Sequence, residues 1–215
     1  MMTVICSEIK RNTLLAEHEL ADYLAHDAMI DWQHPHIRQL ALRLRGETPN
    51  QTVRQCFEWV RDEILHCLDV GREEVTCVAS DVLAVGTSFC YGKSHLLVAL
   101  LRANGIAAGL CYQRLTFAGV QPPFCLHGLV AVWLAEFGWT RCDPRGNKLG
   151  VNAQWTPGQD NLAFSHDLPG ECLYDGIYAT PWPTLIKALA GLKHASHFRF
   201  RPIDLFSVDV CLSSL

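Results

Sequence analysis

One stretch narrows the folds open to this chain more than any other: Thr87-Ser88-Phe89-Cys90-Tyr91-Gly92-Lys93-Ser94-His95-Leu96-Leu97-Val98-Ala99-Leu100-Leu101-Arg102-Ala103-Asn104-Gly105. Leu97, Leu100 and Leu101 recur at helical spacing, which predicts a helix with one buried side. Thr87 or Ser88 stands where an N-cap belongs, and Asn104-Gly105 supplies a left-handed stop. Cys90 therefore falls in the first helical turn. There its sulfur faces the positive end of the helix dipole and several unpaired N–H groups, and both favour the nucleophilic thiolate. Cysteine is more often a small buried hydrophobe, and this chain has ten of them. The case for Cys90 thus depends on what else the chain brings to it.

The residues before this stretch read as helices. Asn12-Thr13 precede Leu14, Leu15, His18, Leu20, Tyr23 and Leu24, an amphipathic run ending near Asp31. Pro35 suits the first turn of a second helix with Ile37, Leu40, Ala41 and Leu44 on its apolar face and Gly46 past its end. Thr48-Pro49 opens a third, carrying Val53, Phe57, Val60, Ile64 and Leu65. Thr76 to Val85 reads as a short helix stopped by Gly86.

After Gly105 the pattern changes to strands. Ile106 to Leu115 is β-compatible, and Gly119-Val120-Gln121-Pro122-Pro123 is turn chemistry. Leu126 to Leu134 and Trp139 to Cys142 read as a hairpin joined through Glu136-Phe137-Gly138, with Pro144 blocking further ladder bonds. Residues 149 to 165 are loop-like, Pro181-Trp182-Pro183 opens a last helix running to Leu192 and Lys193, and a further strand is expected near Phe206 to Val210. The predicted fold class is α+β: a helical N-terminal part packed on an antiparallel sheet.

Composition bounds the function classes. A chain of 215 residues, 49% hydrophobic with a formal net charge of −4, fits a single domain over 1–215 and offers no basic field for nucleic acid. No apolar run reaches the ~18 residues that span a bilayer, and Met1-Met2-Thr3-Val4-Ile5-Cys6-Ser7-Glu8 lacks a cationic segment followed by an apolar one. The expected location is cytoplasmic, without nucleic-acid or membrane partners. The cysteines form no C-x-x-C pair, and His18, His26, His34 and His36 are unevenly spaced without a carboxylate pattern. No metal and no cofactor is expected.

Three residues then stand out together. Cys90 begins a helix, His127 stands near the start of a strand, and Asp143 ends the strand hairpinned to it. A hairpin brings the last two to one end of the sheet. Alone, His127 reads as a satisfied histidine and Asp143 before Pro144 as a turn starter. Together they are what acyl chemistry requires: a thiolate to attack, a histidine to move the proton, and a carboxylate to fix the imidazole.

The residues that carry this constellation are similar to those of the transglutaminase-like superfamily, a papain-like group. The matching pieces are Trp59-Val60-Arg61-Asp62-Glu63-Ile64, Ala79-Ser80-Asp81-Val82-Leu83, Cys90 with Leu96 to Ala108, Leu126-His127-Gly128-Leu129-Val130-Ala131-Val132-Trp133, and Trp139-Thr140-Arg141-Cys142-Asp143. The resemblance covers about residues 50 to 147 and is to small bacterial cysteine-protease-like members. It implies a Cys90-His127-Asp143 triad in a catalytic core at 50–147, with 148–215 as an extension packed on it. The chain departs from the pattern at Ser88, where many members have glycine, at Tyr91-Gly92-Lys93, and at His66, where tyrosine is common. The only oxyanion donor the sequence names is the Cys90 N–H. The expected activity is hydrolysis of an amide or acyl bond in a peptide, protein or small amide, through a thioester. Transglutaminase-type transfer to an amine and a non-catalytic binding module are the alternatives. Transfer from a nucleotide thioester ranks last, because no basic cluster for the phosphates is apparent.

Overall fold

The computed structural model describes residues 15–205. It opens with β1 (Leu15–Ala16) and a one-turn 3-10 helix at Asp22–Leu24. The amphipathic helix expected up to Asp31 does not form over the described residues. Leu15 and Leu20 lie exposed while Tyr23 and Ile30 are buried, so the apolar spacing never becomes one continuous stripe. Asp27 also breaks the run. Its Oδ1 accepts the Met29 and Ile30 N–H groups at 2.6 and 2.8 Å, a local alternative to the helical ladder.

α1 (Pro35–Arg43) is capped by the His34 ring, whose Nδ1 accepts the His36 N–H at 3.3 Å. α2 (Pro49–Glu63) is opened by reciprocal bonds between Thr48 and Gln51 and buries Val53, Phe57 and Val60. β2 (Leu65–His66), α3 (Cys67–Val70) and α4 (Ala79–Val85) follow. α4 stops where expected, at Gly86 with φ of 74°. It starts late because Thr76 is tied to the next element: its Oγ1 donates to the Thr87 carbonyl at 2.8 Å, and Ser88 Oγ donates to the Thr76 carbonyl at 3.0 Å.

β3 (Thr87–Ser88) runs parallel to β2, with Thr87 opposite Leu65 and Ser88 opposite His66. That pairing takes up both residues expected to cap the central helix. α5 (Cys90–Ala103) instead follows Phe89 with no side-chain cap. The expected buried side also proves too modest, since α5 is buried all round from Cys90 to Arg102. α1, α2 and α4 cover it on one side and the sheet on the other. Each fully buried leucine there is worth about 1.5–3 kcal/mol. Its two buried cations are satisfied by main chain: Lys93 Nζ donates to the Ile64 and Arg61 carbonyls, and the Arg102 guanidinium to those of Ala25, Ala108 and Ala179.

β4 (Ala108–Thr116), β5 (Phe124–Leu134) and β6 (Gly138–Cys142) form an antiparallel meander, and β7 (Cys172–Leu173) adds to the far edge, giving the order β6-β5-β4-β7. β5 is buried on both faces. Leu126, Val130 and Val132 join the main core, and Leu129 and Ala131 a smaller one with Tyr23 and Ile177. β8 (Gly176–Ile177) pairs with β1, and α6 (Pro183–Ala190) ends short of Leu192 and Lys193, before a 3-10 turn at Ala195–Arg199. The arrangement is α+β. The strand expected near Phe206 to Val210 lies outside the described residues.

Candidate active site

The hairpin register fixes two of the three predicted residues. Val130 pairs with Cys142, which carries His127 and Asp143 to the same end of the sheet. There His127 Nε2 meets Asp143 Oδ2 at 2.7 Å. The third residue arrives because the N-terminus of α5 can approach β5 closely at Gly128. A Cβ on Gly128 would lie 3.0 Å from Tyr91 Cδ1 and 3.3 Å from Tyr91 Cα, tighter than side chains tolerate without a shift. The close approach lets the Gly128 N–H donate to Cys90 Sγ at 3.4 Å. With Nε2 held by the carboxylate, Nδ1 is the ring nitrogen left for the thiol.

Electrostatics follow from this geometry. Burial opposes a charge on His127 most strongly, yet Asp143 and Cys90, by charge and hydrogen bonding, overcome it and push the imidazole up to about 10. Burial likewise acts to raise Asp143. His127 and the N–H groups of Arg145 and Ala163 outweigh it and hold the carboxyl below its usual range. Those two N–H groups donate at 3.0 Å to Oδ1 and 3.2 Å to Oδ2. The carboxylate therefore has three partners at fixed angles and cannot swing away from the ring.

Cys90 and His127 line a cavity of about 500 Å³. Its walls include residues that sequence reasoning did not assign to the site. Phe164 stands edge-on to His127, with ring centroids 5.2 Å apart, and Arg145 lies over Phe164 at 5.5 Å while forming a bidentate ion pair with Asp69. His66 also faces the cavity. Its Nδ1 is buried without a hydrogen-bond partner among the described residues. Burial first and then Arg145 push His66 down to about 3; Asp69 pulls the other way, and His127 and Lys93 add smaller pushes down. It is a neutral imidazole with one N–H to give, and a poor base. His95, the other histidine near the nucleophile in sequence, is buried in α5 with Nδ1 on the Cys77 carbonyl at 2.7 Å. Among the described residues no group of His, Cys, Asp and Glu is arranged to hold a metal ion. The eight described cysteines are all free.

Residues 38–144 match the model of the transglutaminase-like superfamily. The fold is similar to a candidate cysteine protease of Cytophaga hutchinsonii, with TM-score 0.47 and 19% identity over 59% of this chain and 42% of that one. It is also similar to the periplasmic domain of TgpA from Pseudomonas aeruginosa, with TM-score 0.43 and 20% identity over 60% and 48% of the two chains. A candidate protease of Parabacteroides distasonis gives TM-score 0.40 and 12% identity, over 57% and 26%. The matches span less than half of each of these solved chains. No curated protein matches the chain.

Proposed function

Because this chain belongs to the transglutaminase-like superfamily, we propose that it is a cysteine-dependent enzyme that transfers the acyl group of an amide through a thioester on Cys90. One observation carries the reading. A cysteine at a helix start, a histidine and a buried carboxylate converge on one cavity, with the imidazole held by Asp143 at 2.7 Å and the sulfur fixed by the Gly128 N–H.

In this reading the Cys90 thiol gives its proton to His127, and the sulfur attacks the carbonyl carbon. The C–N bond breaks as the imidazolium returns the proton to the departing amine, leaving the acyl group on sulfur. A second nucleophile then attacks the thioester, His127 takes its proton, and Cys90 leaves as the thiolate. Water makes the enzyme a hydrolase, which is the first reading; an amine makes it a transglutaminase. Negative charge on the carbonyl oxygen needs donors in place beforehand. The first-turn N–H of Cys90 is one, because helix geometry leaves it without an intrahelical partner. The neutral His66 ring is the second, supported by its place in the cavity wall beside Cys90.

Peptide mapping after brief iodoacetamide treatment near neutral pH tests the nucleophile. Cys90 should be alkylated fastest among the cysteines, and its rate should fall in His127→Ala. Cys90 among the slowest would defeat the reading. Release of ammonia or an amine from peptide amides, with and without an added primary amine, then separates hydrolysis from transfer.

A further inference from the structure

Resting on that reading, we infer that the cavity selects an acyl donor with a bulky apolar or aromatic side chain next to the reacting carbonyl, and that residues beyond the family match help build this subsite. The match ends at residue 144. Phe164, Leu168, Glu171, Phe198 and Arg199, all later in the chain, line the cavity beside Cys90 and His127.

One wall is aromatic. Phe198 packs between Phe89 and Phe117, with ring centroids at 5.1 and 5.5 Å, and Phe89 immediately precedes the nucleophile. Leu115, Leu168 and Phe164 add apolar surface around the same space. The charged groups at the cavity are engaged within the protein. Asp69 pairs with Arg145 and Lys148. Glu171 accepts the Thr116 N–H and hydroxyl through Oε1, both at 2.8 Å, and the Leu168 N–H through Oε2 at 3.2 Å. Arg199, at the exposed rim, donates to the Leu68 carbonyl at 2.9 Å. Glu171 has only neutral donors as partners and lies half-exposed at the edge of the space. A charged substrate side chain seated deeper, against the aromatic wall, would therefore lose its water without a partner of opposite sign there. An apolar one gains the area it buries.

The acyl side of the substrate is the one that needs such a wall. The acyl group stays bonded to Cys90 while the amine leaves and the second nucleophile enters, so the aromatic wall beside the nucleophile serves the part that remains. The leaving side must stay open to exchange.

The test is the rate at which peptidyl chloromethyl ketones alkylate Cys90, since it needs no knowledge of the final acceptor. Ketones with Phe, Leu, Gly, Lys and Glu side chains are compared on the full chain, with iodoacetamide as the undirected control. Phe and Leu reagents should react about 10- to 100-fold faster than the Gly, Lys and Glu reagents, the range expected for burying one large apolar side chain. Phe117→Ala should bring the Phe-to-Gly ratio to about threefold or less. Should that variant fail to fold, the wild-type ratios decide alone. Equal rates across the panel with a fast iodoacetamide reaction would overturn the subsite and leave the nucleophile standing. A Glu reagent in first place would overturn it in favour of Arg199 as the selecting group. A Cys90 inert to iodoacetamide would remove the parent reading, and the subsite with it.

Discussion

The two parts of the chain that meet at the cavity are built in opposite ways. The earlier part, residues 38–144, supplies Cys90, His127 and Asp143 from regular elements: a helix start, a strand in a nine-pair ladder, and the end of the hairpin partner. The later part supplies Ala163 and Phe164 from a loop and Arg199 from a 3-10 turn, tied to the core by scattered bonds such as Gln113 Nε2 donating to the Phe164 carbonyl at 3.2 Å. Reacting atoms need positions fixed to fractions of an ångström, which packed helices and ladders provide. Surfaces that sort substrates tolerate, and profit from, loops that can change without disturbing the ladder.

Substitutions can break or sharpen this contrast. The largest effects belong to the regular part. On variants shown to be folded, Cys90→Ala and His127→Ala should each lower turnover by roughly 10⁴-fold or more, and the double variant should lose little beyond either single one. A folded Cys90→Ala protein with near-wild-type turnover would end the covalent mechanism. Asp143→Asn should leave more residual activity, because the carboxylate orients and steadies the imidazole without touching the substrate. Next comes His66→Phe, which keeps an aromatic ring against Phe89 and removes the N–H. It should cost about 10²-fold in kcat with the iodoacetamide rate at Cys90 unchanged, since alkylation develops no oxyanion. An equal loss in both measurements would make His66 a positioning residue instead.

A smaller effect belongs to the irregular part. Phe164→Ala removes an edge-on ring contact to His127 worth about 1 kcal/mol, so kcat/KM should fall roughly 5- to 10-fold. A loss as deep as that of His127→Ala would erase the distinction between the two regions. The smallest effect is on stability. Lys93 is pushed down to about 7, chiefly by burial, so between that value and its ordinary 10.5 the unfolded chain binds the extra proton. Stability attributable to Lys93 therefore rises with pH across that window. The urea midpoint of the wild type relative to Lys93→Met should climb from pH 7 to 8.5; a flat difference would mean the lysine is charged in the fold throughout.

The regular part was also the more legible in sequence. Thr48-Pro49, Asn104-Gly105 and the β5–β6 hairpin are local signals, and they placed Cys90, His127 and Asp143 in elements of the expected type. Misreadings came where partners distant in sequence decided the outcome. Thr87 and Ser88 look like helix caps, but β2 claims them as a strand. The leucines between Leu14 and Leu24 look like a helical stripe, yet β1 leaves to pair with β8, 161 residues away at Leu15↔Gly176. His66 reveals nothing of its role locally, because its neutrality arises from burial beside Arg145 and Lys93. Ala163 had no signal at all: it acts through its backbone N–H, which any residue except proline would provide.

That last bond gives the chain an order of assembly. A ribosome delivers Cys90, then His127, then Asp143, and only afterwards the Ala163 amide that closes the ring of partners around the carboxylate. Until the later segment has docked, Asp143 keeps fewer of the bonds that hold it against the imidazole, and the aromatic wall lacks Phe198. Under the proposed mechanism, the tail that builds part of the proposed subsite also completes the support of the proposed triad.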